Sequence, residues 1–140
     1  MTTAYMLDTN ICSFIMRERP PVLLERLQSA AAKRRHIVIS VITYYEMLLG
    51  TIGRNASPRH AVLVEAFVAR LSAVLSWDRI AAEEAIRIRK GLAAKGTPIG
   101  GNDAMIAGHA IATDCVLITN NTREFSRVRN LHIEDWTQGS

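Results

Sequence analysis

Four acids in this chain stand where short apolar runs give out. Asp8 ends the run Ala4-Tyr5-Met6-Leu7, and Glu46 lies in the segment that opens at Ser40, just past Ile37–Ile39. Asp103 opens a small-residue segment after Gly100-Gly101-Asn102, and Glu124 follows Val116–Ile118 in the stretch VLITNNTREF. Carboxylates drawn together repel one another and are costly to desolvate unless a cation joins them. An oxygen-rich, sulfur-free set of this kind suits Mg²⁺ or Mn²⁺. Such a cation keeps some of its waters, and one of them can become a nucleophile toward phosphorus.

Each acid also has a plainer reading. Asp8, followed by Thr9 and Asn10, has the composition of a helix cap, and so has Asp103. Glu46 shares a helix side with Ile42 and Gly50 at spacings of four, which makes it an acid on a mostly apolar face expected against the sheet. Glu124 stands among Arg123 and Arg127 and reads equally as a surface acid. By contrast, Glu18, Glu25, Glu65, Glu83, Glu84 and Asp114 sit on or beside polar faces among basic residues, as solvated charges do.

Positioning these acids requires strands with helices between them. The runs Ala4–Leu7, Ile37–Ile39, Ala73–Leu75 and Val116–Ile118, with a weaker Leu131–Ile133, read as strands buried on both faces. Helical spacing is expected over Pro21–Ala32, Ser40–Leu49, Ala61–Leu71, Asp78–Leu92 and Asp103–Thr113. Leu63, Phe67, Val68 and Leu71 should share the buried side of the third of these, and Arg54–Arg59 should form the loop before it. Strands alternating with helices predict βαβ units and an α/β/α sandwich around a mostly parallel sheet. In such sheets ligands bind beyond the carboxyl ends of the strands, where all four acids fall.

The 140 residues, 49% hydrophobic, suffice for one domain spanning 1–140 with a real core, its last few residues forming a flexible tail. No apolar run approaches the ~20 residues of a membrane span, and the N-terminus lacks a signal-peptide pattern, so a cytoplasmic protein is expected. Cys12 and Cys115 have no CxxC spacing and read as small buried hydrophobes. A net charge of +4 favours an anionic partner. Arg17, Arg19 and the basic residues at 33–35 are candidates to hold phosphates, with a solvated helix end as the rival reading. His36, His60, His109 and His132 lack ligand or triad spacing, and His109 reads as a packing or surface histidine. Trp77 and Trp136 read as core edges, with base stacking the lesser alternative. GTPIGG has neither the preceding strand nor the Lys-Ser/Thr ending of a phosphate loop.

Taken in order, MLDTNI, SVITYYEMLLG, IGGNDAMIAGHA and VLITNNTREF resemble the signature stretches of the PIN-domain ribonucleases, and more narrowly the VapC toxins of bacterial toxin–antitoxin pairs. The resemblance runs through LHIEDW, nearly the whole chain. It implies a PIN fold and a Mg²⁺- or Mn²⁺-dependent endoribonuclease. The family's core acids fall on Asp8, Glu46 and Asp103. Many PIN domains carry an aspartate where this chain has Asn121, and the TNNxREF form places the fourth role on Glu124 instead. Thr9, Asn10, Thr119 and Asn121 are then polar helpers around the cation. The resemblance implies RNA as substrate, with initiator tRNA cut at the anticodon loop, and a toxin homodimer. It also implies a VapB-type antitoxin that forms a larger assembly with the toxin and supplies any contact with DNA.

Two rivals stand beside it. A receiver-like signalling domain also gathers acids around Mg²⁺, but it needs paired acids after the first strand and a lysine after the last; here a single Asp8 follows, and no lysine occurs after Lys95. A non-catalytic binding module on the same fold is opposed only by the intact Asp8, Glu46 and Asp103.

Overall fold

A computed structural model describes residues 3–139. Chain order is β1 (Ala4–Leu7), α1 (Thr9–Met16), α2 (Pro21–Ala32), β2 (His36–Ser40), α3 (Val41–Leu49), α4 (Pro58–Ala69), β3 (Ala73–Leu75), α5 (Arg79–Ala94), α6 (Gly101–Ala112), β4 (Val116–Ile118), α7 (Thr122–Phe125) and β5 (Ile133–Glu134). The strands form one sheet in the order β3-β2-β1-β4-β5, and every neighbouring pair is parallel. From β1 the chain builds outward to β3, then returns to the other side of β1 for β4 and β5. The direction of winding therefore reverses between β1 and β4, the position where an open parallel sheet offers a crevice.

Side chains alternate along β1. Met6 joins a core layer with Val38, Leu117, Ile88, Leu92 and Ile106, while Leu7 joins the opposite layer with Ile11, Leu23, Ile39, Phe67 and Ile118. Met6 and Leu7 are both fully buried, and each such side chain contributes roughly 1.5–3 kcal/mol. The sheet is thus covered on both faces, as an all-parallel sheet must be. Both cysteines are free and buried.

Several boundaries differ from the periodicity reading. The eight-residue α1 follows β1 with only Asp8 between them, and its apolar TNICSFIM composition hides the change of period. Helix α4 starts at Pro58 because Ser57 Oγ accepts the Arg59 N–H at 3.2 Å and Pro58 needs no donor partner at a helix start. On that helix Val64 and Phe67 turn inward while Leu63 is 41% exposed, so the expected stripe is rotated. Helix α6 starts at Gly101, capped by Gly100 without a side-chain bond, so Asp103 lies inside the first turn and does not cap. The last strand is Ile133–Glu134 in place of Leu131–Ile133. In the C-terminal tail, Thr137 bonds Asp135 through backbone N–H and hydroxyl, and Ser140 lies outside the described residues.

Candidate active site

Asp8 closes β1 with its N–H on the Ile118 carbonyl at 3.0 Å, which locks it to the end of β4. Its Oδ1 accepts the Ile11 N–H at 2.9 Å and caps α1. Capping and site duty are compatible, since Oδ2 takes no part in that bond. Asp8 as a residue is only 4% exposed, and burial pushes its pKa up. Hydrogen bonds from the Thr119 hydroxyl and the Ile11 and Asn10 N–H groups pull the other way, while the charge on Glu46 adds to the rise. Thr119, fully buried at the end of β4, is therefore a direct partner of Asp8, whereas Asn10 contributes its backbone and leaves its side chain exposed.

Glu46 is half-buried, not packed against the sheet as expected. Thr43 and Met47 form the inward face of α3, and Glu46 stands on its margin, toward α1 and α6. Both of its oxygens are held. Thr9 Oγ1 donates to Oε1 at 2.6 Å, and Asn102 Nδ2 donates to Oε2 at 3.1 Å. Asn102 has no role in the periodicity reading. Its signal was its place beside Asp103 in GGND, one residue from an acid and in the first turn of the same helix.

Asp103, half-buried in the first turn of α6, is the electrostatic centre of the group. Its pKa is raised to about 6, first by burial and then by the charges of Glu124, Asp8 and Glu46. Glu124 is close enough to share a hydrogen bond with it, and Asn121 Nδ2 donates to Glu124 Oε2 at 2.8 Å. Four carboxylates from separate parts of the chain thus act on one another; Asp8, Glu46 and Glu124 each have a neutral polar neighbour or a backbone donor, and none of the four is in an ion pair among the described residues. No three His, Cys, Asp or Glu side chains among the described residues converge on one metal-sized point. That excludes a closed cage among the described residues; a hard cation held here would take one or two carboxylates directly and keep its waters. Uncompensated charge on Asp103 is the observation that such a cation would relieve.

The basic candidates fall elsewhere. Arg17 folds back on its own helix, 2.7 Å from Ser13 Oγ and over the Phe14 ring. Lys33 to Arg35 precede β2, while Glu46 follows its other end, so they lie at the wrong end of the strand for these acids. His109 is buried, with Nδ1 2.7 Å from Ser40 Oγ, and burial holds its pKa below the ordinary histidine value. It ties α6 to the cap of α3. The Trp136 ring is buried edge-on to Tyr5, and Trp77 Nε1 donates to the Met105 carbonyl, so both act in packing.

The PIN domain family matches residues 5–131. The tRNA(fMet)-specific endonuclease VapC of Shigella flexneri is 41% identical over 133 residues, 95% of this chain and 98% of that protein. The enzyme of the same name from Salmonella typhimurium is 42% identical over 94% of this chain and 97% of its own length. Among solved structures, DNA-bound VapBC from Salmonella typhimurium superposes with a TM-score of 0.86 at 42% identity, covering 97% of this chain and 99% of that one. VapBC2 from Rickettsia felis, bound to a DNA fragment from its promoter, gives 0.87 at 34% identity over 96% and 99%. No helix among the described residues is long and apolar enough to cross a membrane.

Proposed function

This chain belongs to the PIN-domain family and within it to the VapC ribonucleases, and from that premise we propose that it is the toxin of a type II toxin–antitoxin pair, a Mg²⁺-dependent endoribonuclease that cuts initiator tRNA in the anticodon loop. The observation that carries the chemistry is the unneutralised carboxylate group centred on Asp103. Asp8 and Asp103 would hold the cation directly, with Mn²⁺ an acceptable substitute. When bound, the cation lowers the pKa of water and offsets charge developing on the phosphate oxygens.

The chain's own side chains do the rest. Thr119 and the start of α1 fix the Asp8 carboxylate. Thr9 and Asn102 fix Glu46 from two helices, so that it can orient the attacking water in line with the scissile bond. Asn121 holds Glu124 opposite Asp103, where it defines the far wall of the cleft. Positioning to within about half an ångström is what such a reaction requires, and paired neutral donors give it without cancelling the negative charge.

Purified protein should cut initiator tRNA at one position in Mg²⁺, fall silent with EDTA, and recover on adding Mg²⁺ or Mn²⁺. Cleavage that persists in EDTA sinks the metal assignment; failure to cut any RNA sinks the nuclease.

The structure also offers places for partners. A cavity of about 390 Å³ between α1, α2 and α4 is lined by Leu7, Ile15, Leu24, Leu27, Phe67 and Leu71, with Glu18, Gln28 and Arg70 among them. It suits an amphipathic antitoxin segment, and Leu7 adjoins Asp8 in the chain. A second apolar stripe, Val41, Tyr45, Leu48, Leu49 and Ile52, is exposed along α3 and the turn after it. We assign it to the homodimer. Tyr45→Lys should convert dimer to monomer in light scattering; an unchanged mass overturns that assignment.

A further inference from the structure

An acidic cleft repels the polyanion it is meant to cut, so cations must hold the strand close by. The chain has 17 Lys and Arg residues, and several are committed elsewhere. Arg79 and Arg87 pair with Glu83 and Glu84. Arg26, Lys33 and Arg35 gather around Tyr5 and Trp136, and Arg35 bonds Thr3 just before β1.

Beside the acids, one edge is different. Arg89 Nη1 lies 3.6 Å from the point a Cβ on Gly101 would occupy, and Asp103 Oδ2 lies 3.6 Å from the corresponding point on Gly100. Two successive glycines thus separate a guanidinium from the central carboxylate. Arg127 follows Glu124 by one turn, its N–H on the Glu124 carbonyl, and its Nη1 reaches the Pro98 carbonyl at 3.4 Å. Lys95, Arg127 and Arg129 line one shallow depression between the end of α5 and the chain after α7. None of these four cations forms an ion pair among the described residues. Arg127 is anchored on a neutral carbonyl, which keeps its charge available.

We propose that the RNA strand runs along the α5–α7 edge of the cleft, its phosphates held by Arg89, Lys95, Arg127 and Arg129 on the way to the acids. This rests on the ribonuclease reading. It places the backbone contacts on the β4–β5 side and leaves the α2 cations out of the substrate path.

The test compares two triple variants, Lys95→Ala/Arg127→Ala/Arg129→Ala and Arg26→Ala/Lys33→Ala/Arg35→Ala, with wild type. Each is titrated with a fluorescent single-stranded RNA oligonucleotide in EDTA over a range of salt, after circular dichroism confirms the fold. For single-stranded RNA each lost phosphate contact lowers the slope of log K against log salt by about 0.7, so the first variant should lose about 2. Its KM in Mg²⁺ should rise by roughly tenfold or more with kcat little changed, and the second variant should match wild type. A first variant with the wild-type slope, or a second with an equal loss, overturns the track while wild-type cleavage leaves the nuclease standing. A wild type that neither binds nor cuts RNA overturns both.

Discussion

Asp103→Asn is expected to abolish RNA cleavage and, in the absence of metal, to make the protein more stable at neutral pH. The two effects have one origin. Burial, then Glu124, Asp8 and Glu46, raise the Asp103 pKa from 3.8 to about 6. A carboxyl whose folded pKa lies above its unfolded value binds its proton more tightly when folded. The Asp103 contribution is therefore neutral below about pH 4, becomes unfavourable as pH rises through the window up to about 6, and carries its full penalty above it. Asparagine keeps the shape and removes the charge.

In EDTA at pH 7.5 the variant should melt a few degrees above wild type, at roughly 2–4 °C or more per kcal/mol. Near pH 4 the two curves should converge. Adding Mg²⁺ should raise the wild-type midpoint and barely move the variant, since only the former binds the cation well. Cleavage should drop by about a thousandfold or more, as the charge stabilisation at stake is several kcal/mol. A variant that cuts RNA at the wild-type rate ends the assignment of Asp103. A stability difference that is flat from pH 4 to 7.5 ends the electrostatic explanation. Asp8→Asn should likewise lose cleavage and stay folded, because asparagine caps a helix about as well as aspartate and can still accept the Ile11 N–H.

The fold was legible where one period dominates. Strands buried on both faces appear as unbroken apolar runs, and Ala4–Leu7, Ala73–Leu75 and Val116–Ile118 were readable to the residue. Three of the acids were legible for a topological reason: Asp8 and Glu124 follow β1 and β4, Glu46 lies on the helix after β2, and parallel strands bring those points to one end of the sheet; Asp103, on a helix that follows another helix, was legible only as the acid opening the small-residue segment after Gly100-Gly101-Asn102. Side-chain aim was harder. Glu46 was expected among apolar neighbours, but a helix face is wide, and a rotation of one position moves a residue from the sheet to the margin. The same small rotation exchanged Leu63 for Val64 on α4. Asn102, which holds Glu46, could not be found from spacing, because its partner lies 56 residues away on another helix. The phosphate-holding candidates at 33–35 were misplaced because charge counts carry no direction, whereas strand polarity does.

The second large effect should come from a single methyl group. At Gly108, in the middle of α6, an added Cβ would stand 2.6 Å from the backbone nitrogen of Ala85 on α5 and 2.8 Å from its Cα. Those atoms belong to a helix backbone, so no side-chain rotation relieves the clash, and truncating the Ala85 methyl would not help either. Gly108→Ala must push α5 and α6 apart. Alanine normally favours a helix over glycine by about 1 kcal/mol, so a purely local account predicts a more stable protein. Close packing predicts the reverse, a net loss of about 1–3 kcal/mol or more. The two accounts differ in sign, which makes the urea midpoint decisive: it should fall, with the slope unchanged. The displacement should also reach function, since α6 carries Asp103 and Asn102 and is tied to α3 through His109 and Ser40. Residual folded protein should therefore cleave RNA more slowly than its folded fraction alone would give. A midpoint at or above wild type would mean that the helices have room the structure denies them.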